Sequence, residues 1–263
     1  MKQTISYYTG FPDNCLLDLF LPATVKNAPG VLMIHGGGWS AGNREQWHPL
    51  ARKLADAGFV TASASYRLAP QHRFPAQIED VRAAMAWLKG HMKAMGADPT
   101  RIGAVGSSAG GHLVALLATI GPEDTLGAAP WLKDPDTRPR AVACYNPALN
   151  FLDEQFWLNP VLMNAYLDLF GGRPPAMEDI YRRASPALRI SGNEPPFLFL
   201  NGTADELTPT VICEDMIKRL RERNVSADLM LFEGMEHGFS YALVHPEQIR
   251  AANAVVEFFS QKL

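Results

Sequence analysis

A serine hydroxyl is a poor nucleophile until a neighbouring base takes its proton, and three residues of this chain have the types and the order for that chemistry. Ser108 lies in Gly106-Ser107-Ser108-Ala109-Gly110, a G-x-S-x-G pattern. In such a turn the chain passes so sharply from strand to helix that the residues around the serine must be small, and its Oγ is left exposed. The next N–H, on Ala109, points to the same place, and the start of a helix favours negative charge there. His237, in Glu233-Gly234-Met235-Glu236-His237-Gly238-Phe239, is the candidate base. Asp205, in Asn201-Gly202-Thr203-Ala204-Asp205, is the candidate acid that orients it. Glu206 and Asp228 are the alternative acids, Glu206 by adjacency alone.

A second cluster completes the constellation. His35-Gly36-Gly37-Gly38-Trp39 places three glycines in a row, which costs backbone entropy and needs a reason. An oxyanion hole supplies one, because its backbone N–H groups must approach the reacting carbonyl with no Cβ in the way. His35 is expected to hold this loop by hydrogen bonds, and His112 to be packed in a helix. His48, His72, His91 and His245 lack the spacing of metal ligands, so no metal site is expected.

These residues need elements to carry them. Val31–Ile34 is a continuous apolar run, as in a strand buried on both faces. Further strands are predicted at Ile5–Tyr8, Leu16–Leu21, Phe59–Ser63, Ile102–Val105, Ala141–Tyr145, Phe197–Leu200 and Leu229–Phe232. Helices are predicted at Glu45–Ala57, Ile78–Met95, Ala109–Ile120, Thr208–Arg223 and Pro246–Gln261. This alternation implies a mainly parallel sheet covered by helices, with Ser108, Asp205 and His237 all in loops that follow strands. Between Asn146 and Pro196 the alternation breaks, and the stretch is too long for a simple connection. It reads as a small cap of short helices, with Phe151, Phe156, Trp157, Leu158, Tyr166 and Phe170 among prolines and glycines.

Composition narrows the classes. The 263 residues are 47% hydrophobic, enough for one large core, and no linker divides them, so residues 1–263 read as a single domain. The net charge of −3 has no basic stripe, which argues against nucleic acid and anionic membranes as partners. No apolar run approaches a membrane span. Cys15, Cys144 and Cys213 are odd in number and dispersed, and the first residues lack the apolar core of a signal peptide. Both point to a reduced, cytoplasmic protein.

Taken together, Leu17–Pro22, His35–Trp39, Tyr66–Pro70, Phe74–Asp80, Gly106–Gly111, Asp205 and His237–Phe239 resemble the esterases related to hormone-sensitive lipase, the bacterial family IV group. They also resemble the compact acetylxylan and feruloyl esterase-like group. The resemblance runs through nearly the whole chain. It implies an α/β-hydrolase fold, a mostly parallel eight-stranded sheet flanked by helices with a small cap insertion at about 146–196. It assigns the oxyanion donors to the N–H groups of Gly37, Gly38 and Ala109, implies no cofactor, and makes Arg67 structural, paired with Glu79 or Asp80. There are departures from family IV: the first strand begins almost at once, without that group's longer N-terminal cap, which favours the compact group, and Ser107 stands where family IV commonly has Asp.

The expected chemistry is hydrolysis of small-molecule esters through an acyl-enzyme, with short acyl groups, acetyl to butyryl, and acetylated carbohydrates among the candidates. Trp39, Ser107 and Trp157 are the candidate substrate-contacting residues, Trp39 offering a flat face for a sugar or aromatic ring. A monomer or homodimer is expected. The competing readings are an arylformamidase or other amidase with the same triad, a peptidase, and a non-catalytic ligand-binding homologue. Complete loss of a triad member would favour the last, and here all three are present.

Overall fold

The computed structural model describes residues 2–128, 132, 136–157, 159–174 and 176–263, with backbone alone at 155 and 156. Eight strands form one sheet: β1 (Lys2–Ser6), β2 (Leu16–Phe20), β3 (Gly30–Ile34), β4 (Val60–Ala64), β5 (Ile102–Ser107), β6 (Val142–Tyr145), β7 (Phe197–Gly202) and β8 (Ala227–Phe232). Their spatial order is β1-β2-β4-β3-β5-β6-β7-β8. From β4 to β8 every neighbouring pair is parallel, while β2 runs antiparallel to both β1 and β4. This is the expected α/β-hydrolase sheet.

The apolar run at β3 is explained by the two faces it serves. Val31 and Met33 point into one core, with α1 (His48–Asp56) and α8 (Pro246–Lys262). Leu32 and Ile34 point into the other, with α2 (Ala76–Met92), α3 (Ala109–Thr119) and α7 (Thr210–Glu222). Burying each such side chain contributes roughly 1.5–3 kcal/mol, so the period-2 alternation of a strand is hidden when both faces are covered. Strand β7 repeats the pattern, with Phe197 and Phe199 on one side and Leu198 and Leu200 on the other.

Between β6 and β7 lie three short helices, α4 (Glu154–Trp157), α5 (Pro160–Phe170) and α6 (Glu178–Ala184). Asn159 caps α5, its side chain accepting from the N–H groups of Val161 and Leu162, and Pro160 follows at the first turn. Gly171, at φ 84°, closes it in the left-handed conformation. Phe151, Tyr166, Phe170 and Tyr181 join this segment to the same core as α2 and α3. Leu158 and the side chain of Phe156 lie outside the described residues.

Most boundaries shift by one to three residues from the sequence reading, and two elements differ in a way that has a clear cause. The first strand is Lys2–Ser6 rather than Ile5–Tyr8, because its register pairs Lys2 with Phe20 and Ser6 with Leu16, and a turn takes over at Tyr8. The predicted helix at Glu45–Ala57 is a 3-10 turn (Arg44–Trp47) followed by α1, with Pro49 in the first turn of the helix proper.

Candidate active site

Strand β5 ends at Ser107 and α3 begins at Ala109. Ser108 between them sits at φ 54°, ψ −118°, a conformation that costs a non-glycine residue about 1–3 kcal/mol. The neighbouring glycines are sterically required. A Cβ on Gly106 would lie 2.2 Å from the carbonyl oxygen of Gly110, and one on Gly110 would lie 2.1 Å from that of Ile34. The Ser108 N–H donates to the carbonyl of Tyr145 at the end of β6 (2.9 Å), which ties the turn to the sheet.

His237 and Asp205, from the loops after β8 and β7, meet this serine. His237 Nε2 is 2.8 Å from Ser108 Oγ, and Nδ1 is 2.9 Å from Asp205 Oδ2. A carboxylate can only accept, so Nδ1 carries the proton and Nε2 presents its lone pair to the serine. The Asp205 side chain is fully buried. Besides His237 it accepts from the N–H groups of Leu207 and Thr208 and from the Thr208 hydroxyl. Among the alternative acids, Glu206 is exposed, and Asp228 faces Arg221 on the surface at 3.6 Å.

Two residues that sequence reasoning missed complete this side. Thr208 Oγ1, whose proton goes to Asp205, lies 3.2 Å from His237 Nδ1 and 3.1 Å from the carbonyl oxygen of Asn146. The buried Asn146, at φ 37°, brings its amide nitrogen 3.3–3.4 Å from both ring nitrogens of His237. An asparagine directly after a strand is the one signal that could have marked it, since Asn tolerates positive φ.

The loop after β3 carries Gly37 (φ 109°), Gly38 (φ 58°) and Trp39 (φ 60°) in succession. At Gly37 no side chain is possible, because a Cβ would meet the carbonyl of Ala41 at 2.3 Å. Among the described residues no protein acceptor takes the N–H of Gly37 or Gly38, and the N–H of Ala109 is an orphan donor of the first helical turn. His35 donates from Nδ1 to the carbonyl of Gly36 (2.7 Å) and stacks on Tyr66. Burial lowers its pKa to about 4, so it is neutral and serves the loop rather than the serine.

The three expected substrate-contacting residues fare differently. Trp39 is only 2% exposed. Its indole N–H donates to His112 Nδ1 (3.0 Å), and its ring packs against Phe151 and Tyr166. It therefore offers no free face, being packed between His112 of α3 and the segment that joins β6 to β7. Ser107 is also fully buried, accepting from Ser240 Oγ at 2.9 Å beneath the elbow. Half-buried Trp157 donates to the carbonyl of Phe151 and packs on Tyr166 and Tyr181. Arg67 pairs with both expected carboxylates, at 2.8 Å from Glu79 and from Asp80. Among the described residues no group of His, Cys, Asp and Glu is placed to hold a metal ion, and no helix is long and apolar enough to cross a membrane.

Comparison with known families places this geometry. The BD-FAE family model matches residues 17–220, most of the chain. The protein belongs to the BD-FAE family. This agrees with the resemblance to esterases of the hormone-sensitive-lipase-related group. The BD-FAE chain is 35% identical to the probable carboxylic ester hydrolase LipM of Mycobacterium tuberculosis over 207 residues, 78% of this chain and 47% of that protein. It is 33% identical to esterase LipC of the same organism over 224 residues, 81% of this chain and 54% of LipC. It thus spans about half the length of these curated relatives. In fold it superposes on the propionate-bound thermophilic esterase Est2 of Thermogutta terrifontis with a TM-score of 0.83, covering 99% of this chain and 94% of Est2 at 22% identity.

Proposed function

We propose that this BD-FAE protein is a serine carboxylic ester hydrolase that works through an acyl-enzyme, with Ser108 as nucleophile, His237 as base and Asp205 as orienting acid. The observation that carries the reading is the relay itself, 2.8 Å from Ser108 Oγ to His237 Nε2 and 2.9 Å from His237 Nδ1 to Asp205. His237 takes the hydroxyl proton as Ser108 attacks the ester carbonyl, and the N–H groups of Gly37, Gly38 and Ala109 receive the oxyanion. Each such donor lowers the barrier by roughly 3–4 kcal/mol. The alcohol leaves with the proton from His237, and water activated by the same imidazole releases the acid. The names of LipM and LipC as ester hydrolases support the reaction class.

The acyl groups are short, acetyl to butyryl, with acetylated carbohydrates among the substrates. Helix α5 supports this by walling the oxyanion loop on one side, with Ala165 Cβ in ordinary van der Waals range, 3.7 Å, of where a side chain on Gly38 would begin. Propionate bound to the fold neighbour Est2 is consistent with it. The test is kcat/KM across nitrophenyl esters from acetyl to dodecanoyl, with acetylated sugars alongside. Each methylene buried in a true long-chain pocket would add about 0.8 kcal/mol. A maximum between acetyl and butyryl is expected, and a maximum at about eight carbons or more would overturn the short-acyl reading.

A further inference from the structure

Gly36 precedes the oxyanion glycines and is held at both ends of its backbone. Its carbonyl accepts from His35 Nδ1 at 2.7 Å. Its N–H donates to the phenol oxygen of Tyr241 at 2.7 Å, across 205 residues of sequence. The C=O and N–H of a trans peptide point in opposite directions. Turning the Gly36 carbonyl inward to His35 therefore turns the Gly37 N–H the opposite way, away from His35. Gly36 is buried, Gly37 exposed and Gly38 half-buried.

Tyr241 is itself fixed. Its ring meets the buried Trp47 edge to face at 4.9 Å. Its hydroxyl stands near Ser107 and Ser240, which are bonded to each other. A Cβ on Gly36 would come within 2.8 Å of the phenol oxygen and of the Ser107 carbonyl, and within 3.3 Å of Ser108 Cβ. The phenol thus occupies the place that a side chain at position 36 would need, so the glycine and the tyrosine answer each other. Tyr241 also stands four residues after His237, so one hydrogen bond joins the loop of the base to the loop of the oxyanion donors.

We propose that Tyr241 is a positioning residue for the oxyanion hole. It acts through Gly36, fixing that residue's φ and ψ so that the Gly37 and Gly38 N–H groups converge on the tetrahedral oxyanion. No hydrogen bond joins Tyr241 to Ser108 Oγ, so its effect on the reaction passes through Gly36. The proposal rests on the serine esterase reading, and the experiment below separates the two.

The decisive variant is Tyr241→Phe, which keeps the ring on Trp47 and removes the acceptor. A misplacement near 1 Å in such a site costs about a hundredfold in rate, so kcat on a short-chain nitrophenyl ester should fall roughly 10- to 100-fold with KM nearly constant. Affinity for a trifluoromethyl ketone, which forms a tetrahedral oxyanion on the serine, should fall by the same factor as kcat/KM. Unchanged kcat in folded Tyr241→Phe overturns the proposal, and so does a rise in KM alone, which would make Tyr241 a substrate contact. Glycine labelled with nitrogen-15 gives an arm independent of turnover. The Gly36 amide should lose its protection from hydrogen exchange in Tyr241→Phe, and the Gly37 and Gly38 signals should shift. If the wild-type protein fails to hydrolyse esters, the esterase reading falls while this arm still decides the role of Tyr241. Should Tyr241→Phe not fold, 3-fluorotyrosine at position 241 alone keeps ring and hydroxyl with a poorer acceptor, and must lower kcat in the same direction.

Discussion

At Ser108 the backbone takes a positive φ between two glycines that have no room for a Cβ, and His237 Nε2 stands 2.8 Å from the hydroxyl. Ser108→Ala should therefore abolish ester hydrolysis with the fold intact. A comparable triad hydrolase loses about 10⁶ in kcat, and residual activity above a few per cent of wild type would refute the assignment. Asp205 allows a finer test. Its Oδ1 takes the N–H groups of Leu207 and Thr208, while Oδ2 is the nearer oxygen to His237 Nδ1, at 2.9 Å against 3.1 Å for Oδ1. In Asp205→Asn the amide oxygen must stay with the two backbone donors, which turns the NH₂ toward His237. The imidazole would then be driven to the other tautomer, with a proton already on the nitrogen that faces Ser108. A loss in kcat of about 10⁴ is expected, with Glu206→Gln close to wild type; the reverse result would move the acid to Glu206. The order and motifs of Ser108, Asp205 and His237 were legible in the sequence because each needs a particular residue type in a particular loop. Asn146, Thr208 and Tyr241 were not legible, since an amide or a hydroxyl becomes a partner only when distant strands bring it to the imidazole or the glycine loop.

Among the elements, the apolar runs marked β3, β5 and β7, and the glycine-ended amphipathic stretches marked the helices. Strand β1 slipped by about three residues because an exposed edge strand lacks the apolar alternation that fixes a boundary. The burial of Trp39 was also hidden, because residue type does not reveal that His112, Phe151 and Tyr166 pack around it. The junction of β5 and α3 makes the sharpest prediction at this scale. Gly106→Ala would push a methyl against the Gly110 carbonyl at 2.2 Å, backbone against backbone, and should lower stability by about 4 kcal/mol or more. Gly90, in exposed α2 backbone, meets nothing within 4 Å. Gly90→Ala should raise stability by about 0.5–1 kcal/mol through helix propensity. Urea denaturation of the two variants checks both signs, and a stable Gly106→Ala protein would mean that the elbow is looser than its contacts imply.

For the molecule as a whole, two histidines are folded away without charge. Burial lowers the pKa of both His35 and His112 from 6.5 to about 4. His112 accepts from Trp39 at Nδ1 and donates from Nε2 to the carbonyl of Ala184, so its neutral form is the one the fold requires. The unfolded chain binds protons at these sites at a higher pH than the native state does, so acid favours unfolding. Their contribution is fully present above about pH 6.5 and is lost progressively down to about pH 4, roughly 3 kcal/mol for each histidine. The urea midpoint should fall from pH 7 to pH 5, and less so in His112→Gln; a midpoint constant over this interval would contradict it. The long reach of the site has a consequence of another kind. Ser108 and His237 are 129 residues apart, and Gly36 and Tyr241 are 205 apart. While the chain emerges from a ribosome, the nucleophile and the glycine loop are made first, and neither can act until β8 has delivered its loop. On the proposed mechanism, an unfinished chain carries an unarmed serine, and the relay closes only when β8 and the loop after it are in place.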